Sequence, residues 1–166
     1  QESGKGPVRV RAHVDAHLYD GTLQVVSATI PGESDEEVML VGHLCHPQPS
    51  CNDNASGAAA VMEVARALQS LVATGELPRP RRTLRFLWIP EMTGTYAYLS
   101  SHEADIAHMI AGLNLDMVGE KQDACGCSFL VESPPQAMVS FVSPLLARLR
   151  EEFLQEGRAW GGTGGY

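Results

Sequence analysis

The sequence predicts an α/β domain, a three-layer α/β/α arrangement on a mixed sheet with a parallel centre and an antiparallel edge hairpin. Two observations lead to this prediction. Short, continuously apolar runs, typical of strands buried on both faces, alternate with longer segments of helical periodicity. A segment that alternates between apolar and polar residues, followed by a turn pair, precedes them. The length of 166 residues suits one domain, so we assign residues 1–166 to a single α/β domain, whole or truncated.

The edge hairpin is predicted from the N-terminal part of the chain. Small or apolar residues alternate strictly with polar residues over positions 8–18, the period of a strand with one solvated face. The dipeptide Asp20-Gly21 supplies a two-residue turn, and residues 23–30 are expected to return antiparallel.

Three continuous apolar runs, at residues 38–41, 84–89 and 110–115, predict the buried parallel strands. A helix is expected over residues 55–72, because apolar residues recur there at i, i+3, i+4 and i+7. A shorter helix is expected over residues 96–108. Right-handed crossovers would then bring the carboxyl ends of the three strands to one edge of the sheet.

The C-terminal part predicts a short strand at residues 129–131 and helical sequence at residues 136–156. The pair Ser143-Pro144 has the pattern of a helix N-cap and a first-turn proline. One kinked helix and two abutting helices both fit this pattern.

Composition excludes several classes of function. A formal net charge of −8 argues against a nucleic-acid partner, because phosphate backbones are bound by clustered Lys and Arg. No apolar run approaches the roughly 20 residues of a bilayer span, and the N-terminus lacks the pattern of a signal peptide. We therefore expect a cytoplasmic protein that binds no membrane. The chain begins at Gln1 and ends in a glycine-rich tail, as a piece of a longer polypeptide would, and targeting signals could lie outside it. No pattern indicates an oligomeric state.

The cysteines are interpreted as reduced thiols. Four cysteines are too few and too irregularly spaced for a disulfide framework. A closed Cys/His zinc site is disfavoured, since no Cys-x2-Cys spacing supports it. Thiol catalysis at Cys45 has no support, because nothing marks an activated thiolate or an oxyanion site.

A candidate metal site follows from the predicted topology. The strand ends carry His43, Glu91 and Asp116, the next helix begins near Asp53, and His46 lies in the loop between. Neutral imidazole and carboxylate oxygen suit zinc, and a coordination position left for water makes such a site catalytic. The set therefore predicts metal-activated hydrolysis.

Each candidate also has a plainer interpretation. Asp53 could be a helix N-cap, although the flanking asparagines and the nearby His46 favour a ligand. Asp116 could be a solvated strand end, although its apolar surroundings favour a cation partner. Glu91 could equally be a surface residue. His46 could equally bind metal or only shape the turn before Pro47.

Four separated motifs resemble the zinc-dependent aminopeptidases of peptidase clan MH. They are Gly42-His43, Asn52-Asp53-Asn54-Ala55-Ser56-Gly57, Pro90-Glu91 and Asn114-Leu115-Asp116-Met117-Val118-Gly119. The His-Leu-Cys-His-Pro segment and the sequence after Glu91 resemble more closely a bacterial aminopeptidase-like branch of that superfamily. The resemblance implies a phosphorylase/hydrolase-like fold. It also implies a peptide or aminoacyl amide substrate with a free N-terminus.

The resemblance further implies roles for single residues. His43 and Asp116 would hold one zinc ion, and Asp53 would bridge to a second. Glu91 would be the general base that activates water.

Three positions depart from the superfamily's pattern. Cys45 stands where a carboxylate should orient the histidine, and Met92 replaces one carboxylate of a Glu-Glu pair. In the tail, residues 161–166, glycines replace an Asp and a metal-binding His. We therefore expect one zinc site, at His43, Asp53 and Asp116, and no intact two-metal centre, with His46 as a possible substitute ligand. The alternative is a binding or assembly module that keeps the fold but lacks the full metal set.

Overall fold

A four-stranded mixed sheet forms the centre of the fold. The computed structural model of the chain describes residues 9–126, 130–135, 137–138 and 140–155. The strands lie in the order β1-β3-β2-β4. Their bounds are β1 Val26–Ile30, β2 Ser34–His43, β3 Arg82–Ile89 and β4 Met109–Asn114.

The pairing of the strands confirms the predicted parallel centre and antiparallel edge. β2 lies between β3 and β4 and is parallel to both. β1 pairs antiparallel with β3, with Val26 opposite Trp88 and Ile30 opposite Leu84. The carboxyl ends of β2, β3 and β4 therefore lie at the same edge of the sheet.

The predicted edge hairpin is wrong. Residues 9–25 have no regular secondary structure, and β1 pairs with β3 instead of with a preceding strand. The apolar residues of the alternating segment are exposed, with 88% of Val10, 78% of Val14 and 103% of Leu18 accessible. A two-stranded hairpin is marginal in water unless a third strand or a helix covers its apolar face. In the described part of the chain no other element covers this face.

The first helix, α1 (Ala55–Ala73), covers one face of the sheet. Its only fully buried large side chain, Val61, packs with Ile30 and Phe86 in one core cluster. Trp88 of β3 also holds α1 against the sheet, because its indole Nε1 donates a hydrogen bond to the carbonyl of Ala58 over 2.9 Å. The predicted helix is thus confirmed with nearly the expected bounds.

The opposite face is covered by α2 (Thr93–Ser101). Tyr98 of this helix packs with Met39, Leu87 and Ile89 in a second core cluster. Burial of the ring raises the pKa of the Tyr98 phenol above its usual value. Because helices lie on both faces, the three-layer α/β/α arrangement is confirmed.

The predicted helix at residues 96–108 is divided in two. The α-helical part ends at Ser101, and a 3₁₀ helix, Glu103–His108, follows it. At the junction His102 has φ −121° and leaves the helical region, while its Nδ1 lies 2.8 Å from the Tyr98 carbonyl.

The C-terminal helix α4 is Val142–Gln155, with Pro144 in its first turn. The described residues between 137 and 141 are not helical, so the helix begins near the Ser-Pro pair instead of at residue 136. A short helix α3, Gln122–Cys125, was not predicted. Of the predicted strand at 129–131, Leu130 makes an isolated bridge, Val131 is irregular, and position 129 lies outside the described residues. So do positions 136 and 156.

Among the described residues, no helix is both long enough and apolar enough to cross a membrane.

Candidate metal centre

The ends of the parallel strands carry the predicted site residues. His43 is the last residue of β2, and Asp116 follows β4 by two positions. The amide of Leu115 donates to the carbonyl of Val41 over 2.8 Å, which continues the β2–β4 ladder up to Asp116. The loop between His43 and α1 carries Asp53 to the same edge.

His43, Asp53 and Asp116 form a close cluster. The His43 Nε2 atom lies 3.1 Å from Oδ1 of Asp53 and 3.5 Å from Oδ2 of Asp116. One potential ligand atom from each residue lies within 4.8 Å of the other two. The imidazole is 5% exposed, whereas the carboxylates are 36% and 37% exposed. The cluster therefore has a buried nitrogen at its base and two oxygens at its mouth.

A hydrogen bond fixes which nitrogen of His43 faces the carboxylates. Nδ1 lies 2.8 Å from the carbonyl oxygen of Cys45. A carbonyl can only accept, so Nδ1 carries a proton and the neutral ring has its free lone pair on Nε2. This second nitrogen is buried and makes no hydrogen bond to any residue that the structure describes. A buried polar atom without a partner costs about 1–3 kcal/mol.

The residues fit a zinc ion in number and type, and two of the three separations between their ligand atoms also fit. Ligand atoms bonded at about 2.0 Å to a tetrahedral zinc ion are about 3.3 Å apart. The two separations measured from Nε2, 3.1 and 3.5 Å, lie on either side of that value. One imidazole and two carboxylates leave a fourth position for water or substrate, as in catalytic zinc sites.

His46 approaches the other oxygen of Asp53. Its Nε2 lies 3.2 Å from Oδ2, and its Nδ1 lies 2.6 Å from the carbonyl oxygen of Gln48. The Gln48 amide also approaches Nδ1, at a longer distance of 3.4 Å. Because the carbonyl contact is shorter, we infer that Nδ1 carries a proton and donates it to the Gln48 carbonyl oxygen. His43 and His46 thus share one arrangement, in which a main-chain carbonyl holds Nδ1 and Nε2 faces Asp53. The Asp53 carboxylate has one oxygen toward each histidine.

The N-cap of α1 is Asn54, not Asp53. Its Oδ1 accepts hydrogen bonds from the amides of Gly57, at 3.0 Å, and Met117, at 3.2 Å. Its Nδ2 donates to the carbonyl of Leu115 at 2.9 Å, and the residue is 4% exposed. The peptide bond between Asp53 and Asn54 is cis. Because Asn54 is the cap and the Asp53 side chain faces the two histidines, the interpretation of Asp53 as the helix N-cap is excluded.

Asn52 makes a second link between the same two loops. Its Oδ1 accepts from the Ser56 hydroxyl at 2.9 Å and from the Gly119 amide at 3.2 Å. Its Nδ2 donates to Oε2 of Glu120 at 3.2 Å. Asn52 and Asn54 flank Asp53 in the sequence. Their structural role is to fix the loop that carries Asp53 against the loop that carries Asp116.

Gly57 allows these loops to approach. A Cβ atom there would lie 2.1 Å from the carbonyl oxygen of Leu115 and 2.2 Å from Oδ1 of Asn54. Gly119 is similarly constrained, because its Cβ would lie 2.6 Å from the Cβ of Ser56. The motif Asn-x-Asn-x-Ser-Gly at residues 52–57 therefore contained the signal for this junction.

Glu91 lies beside the cluster without joining it. Together with His43 and Asp116 it lines a cavity of 280 Å³, which also contains Met92 and Tyr96. The side chain is exposed, while its main chain is held on both sides: the amide donates to Sγ of Cys45 at 3.0 Å, and the carbonyl accepts from the Thr93 amide at 2.5 Å. Met92, at the position where the resemblance implied a second carboxylate, is 65% exposed.

A larger apolar cleft of 770 Å³ opens on the other side of the histidines. Its walls include His43, His46 and Asp53, together with apolar side chains of several elements, namely Val26, Leu44, Pro47, Met62 and Trp88. The glycine-rich tail, residues 161–166, in which the resemblance implied a lost ligand, lies outside the described residues.

A protein-family model matches most of the chain. A family model described as a domain of unknown function, DUF4910, matches residues 9–129. This region contains the four strands, α1, α2 and all five predicted site residues.

A named protein and a crystal structure, both from Clostridium acetobutylicum, resemble the chain. One is named "Putative polysaccharide biosynthesis protein with aminopeptidase-like domain" and is 36% identical over 107 residues, which are 64% of this chain and 23% of that protein. The other is a crystal structure of a "putative peptidase", with 34% identity and a TM-score of 0.51 over 58% of this chain and 21% of the solved one. The chain thus spans less than a quarter of the length of each relative.

Proposed function

Because this chain belongs to the DUF4910 family, and because relatives are named for peptidase and aminopeptidase-like proteins, we propose that it is the zinc-binding region of an aminopeptidase-type hydrolase. The proposed substrates are peptides or aminoacyl amides with a free N-terminus. One observation carries the proposal: the buried Nε2 of His43, without a hydrogen bond, faces carboxylate oxygens of Asp53 and Asp116.

The alternative to a metal is a doubly protonated His43 that forms ion pairs with the two carboxylates. Protonated Nε2 would be a strong donor, and a buried donor in an ion pair is normally directed at its acceptor. In this site both oxygens are close enough for a hydrogen bond or ion pair, yet neither accepts a hydrogen bond. A cation between the three atoms satisfies the nitrogen and neutralises the carboxylates together.

A zinc ion held by these residues would act as a Lewis acid toward water and the substrate carbonyl. Glu91 lines the same cavity as His43 and Asp116, so its carboxylate is proposed to accept a proton from the attacking water. A bond forms between the water oxygen and the carbonyl carbon, and the carbon–nitrogen bond then breaks. Glu91 returns the proton to the leaving amine, which balances the hydrolysis.

The apolar cleft supports a peptide substrate with an apolar side chain. His43, His46 and Asp53 form part of its wall, so a side chain in the cleft would lie beside the metal cluster. Val26, Leu44 and Met62 line it and are 53%, 57% and 62% exposed. Burial of such surface against a substrate contributes about 25 cal/mol per Å². We therefore propose a preference for large apolar N-terminal residues.

Metal content tests the first part of the proposal. The full-length protein that contains this chain is purified without chelator, and zinc is measured by elemental analysis. We expect at least one zinc ion per chain, and none in a His43→Ala variant. Absence of stoichiometric divalent metal from the wild-type protein would contradict the proposal.

Turnover tests the second part. The full-length protein is assayed with chromogenic aminoacyl amides, and Glu91→Gln is expected to lower kcat by about 100- to 10,000-fold, to a small residual rate, while zinc remains bound. Glu151→Gln is the matched control, because Glu151 is exposed on α4 and lines neither cavity. Equal turnover by the wild type and Glu91→Gln would exclude Glu91 as the base.

A binding or assembly module is the second candidate, and Met92 is the observation that favours it. The side chain at this position is exposed in the 280 Å³ cavity and supplies no carboxylate to a second metal. This candidate predicts that a peptide raises the melting temperature of the protein but is recovered uncleaved. Release of amino acids in the same incubation would exclude it.

A further inference from the structure

We propose that the Cys45 side chain is a positioning residue for Glu91, a role that rests on the proposed function of Glu91 as the base. The inference comes from one hydrogen bond, in which the amide of Glu91 donates to Sγ of Cys45 over 3.0 Å. The superfamily's pattern would have a carboxylate at this position to orient the histidine. In this chain the thiol contacts the neighbouring strand end instead.

The main chain and the side chain of Cys45 have separate partners. Its carbonyl oxygen accepts from Nδ1 of His43, whereas its thiol accepts from Glu91. Any residue at position 45 retains the carbonyl, so a side-chain substitution leaves the His43 contact in place. The effect of the thiol on Glu91 can therefore be measured separately.

The thiol extends the contact between β2 and β3 beyond the ladder. The Leu44 amide donates to the carbonyl of Ile89 at 3.0 Å, which is the last main-chain bond between these two strand ends. The next residue of β3's continuation is Pro90, which has no amide proton. Glu91 is the first residue after Pro90 with an amide proton, and that amide donates to Sγ of Cys45.

On its other side Glu91 is fixed by a tight turn at Met92. This residue has φ 50° and ψ −62°, and the Thr93 amide bonds back to the Glu91 carbonyl at 2.5 Å. These angles and this bond define a γ-turn of the rarer, strained kind. Such a conformation is strained in a residue other than glycine and persists only where its surroundings determine it. Cys45 supplies one of those determinants.

The expected effect is a loss of turnover without loss of metal. A catalytic group displaced by about 1 Å can reduce the rate by about 100-fold. For Cys45→Ala we therefore expect kcat to fall about 10- to 100-fold, with KM and zinc content unchanged. Cys45→Ser keeps a hydrogen-bond acceptor, the hydroxyl oxygen, but on a carbon–oxygen bond shorter than the carbon–sulfur bond. It should therefore recover part of the lost kcat.

A double-mutant cycle in the full-length protein tests whether Cys45 acts through Glu91. In a Glu91→Gln background, Cys45→Ala should cause no further fall in the residual rate. Cys51→Ala is the matched control, because Cys51 is another exposed thiol of the same loop and should leave kcat unchanged. Additive losses in the cycle would overturn the proposal.

Amide hydrogen exchange gives a readout independent of activity. The Glu91 amide should exchange slowly in the wild type, faster in Cys45→Ala, and at an intermediate rate in Cys45→Ser. Unchanged protection, or full kcat in Cys45→Ala, would overturn the positioning role. A wild-type protein that hydrolyses no substrate would instead refute the proposed function, so the two failures are distinguishable.

Discussion

Nδ2 of Asn54 donates a hydrogen bond to the carbonyl oxygen of Leu115 over 2.9 Å, across 61 positions of sequence. Asn54 directly follows Asp53 in the chain, and Leu115 directly precedes Asp116, so each partner is next to a residue of the candidate metal cluster. The bond therefore sets the distance between the two loops that carry the carboxylates. It is made by a residue that also caps α1, so helix stability and site geometry depend on the same side chain.

Asn54→Ala is expected to destabilise the protein and weaken metal binding together. The substitution removes the helix cap and leaves main-chain groups of Gly57, Leu115 and Met117, which are buried or partly buried, without their partner. The expected loss in the free energy of unfolding is about 2–4 kcal/mol. Chemical denaturation and zinc titration measure the two effects. Gln69→Ala, at an exposed position of α1, is the control, and equal stability of the two variants would contradict the prediction.

Gly57→Ala should prevent the loops from packing. A Cβ there would overlap the Leu115 carbonyl and the Asn54 side chain, so α1 must move away from β4. We expect a lowered melting temperature and loss of stoichiometric zinc. Gly112→Ala is the matched control, because a Cβ at that position meets no atom within 4 Å. Zinc retained at full affinity in Gly57→Ala would refute this account of the motif.

His43 and His46 are predicted to differ in their importance for the metal. His43 contacts both carboxylates of the cluster, whereas His46 contacts only Oδ2 of Asp53 and is 33% exposed. His46→Ala should therefore retain one zinc ion per chain, while His43→Ala retains none. Elemental analysis after dialysis checks the stoichiometry. The reverse result would place the principal site at His46.

Arg85 is predicted to matter for folding and not for the site. Its guanidinium bonds to Glu37 on the neighbouring strand, with Nε 2.6 Å from Oε2, and this contact raises the pKa of Arg85. The pair is largely buried, at 23% and 13% exposure, so Arg85→Ala leaves Glu37 unpaired and should cost about 2–3 kcal/mol.

The matched control for this pair is Arg66→Ala on α1. Arg66 and Glu63 are 68% and 63% exposed, so their loss should leave the free energy of unfolding within error of the wild type. Urea denaturation of both variants checks the contrast. Zinc content should be unchanged in each.

Ala59→Trp is predicted to restrict the apolar cleft. Ala59 is exposed on α1 and lines the cleft beside Met62. A large ring there should raise KM for leucyl and phenylalanyl amides at least tenfold while alanyl amides are affected little. Competition between the two substrate sizes in one reaction measures the shift. Equal effects on both sizes would mean that the cleft does not hold the N-terminal side chain.

The sequence predicted the elements that depend on local pattern. The continuous apolar runs identified three parallel strands, and helical periodicity identified α1, because burial imposes those patterns directly. It failed for residues 9–25, where alternation alone predicted a strand that has no partner in the described chain. A strand depends on a neighbour for its hydrogen bonds, and a single sequence does not name that neighbour.

For the site, the sequence by itself determined the chemical groups and their attachment: His43, Glu91 and Asp116 follow strands whose ends share an edge. Only the tertiary structure decided what the loops do. It excluded Asp53 as the helix cap, gave that role to Asn54, and directed the Cys45 thiol to Glu91 instead of His43. Those outcomes depend on the strand order β3-β2-β4, because contacts between loops form only where the topology makes their strands neighbours.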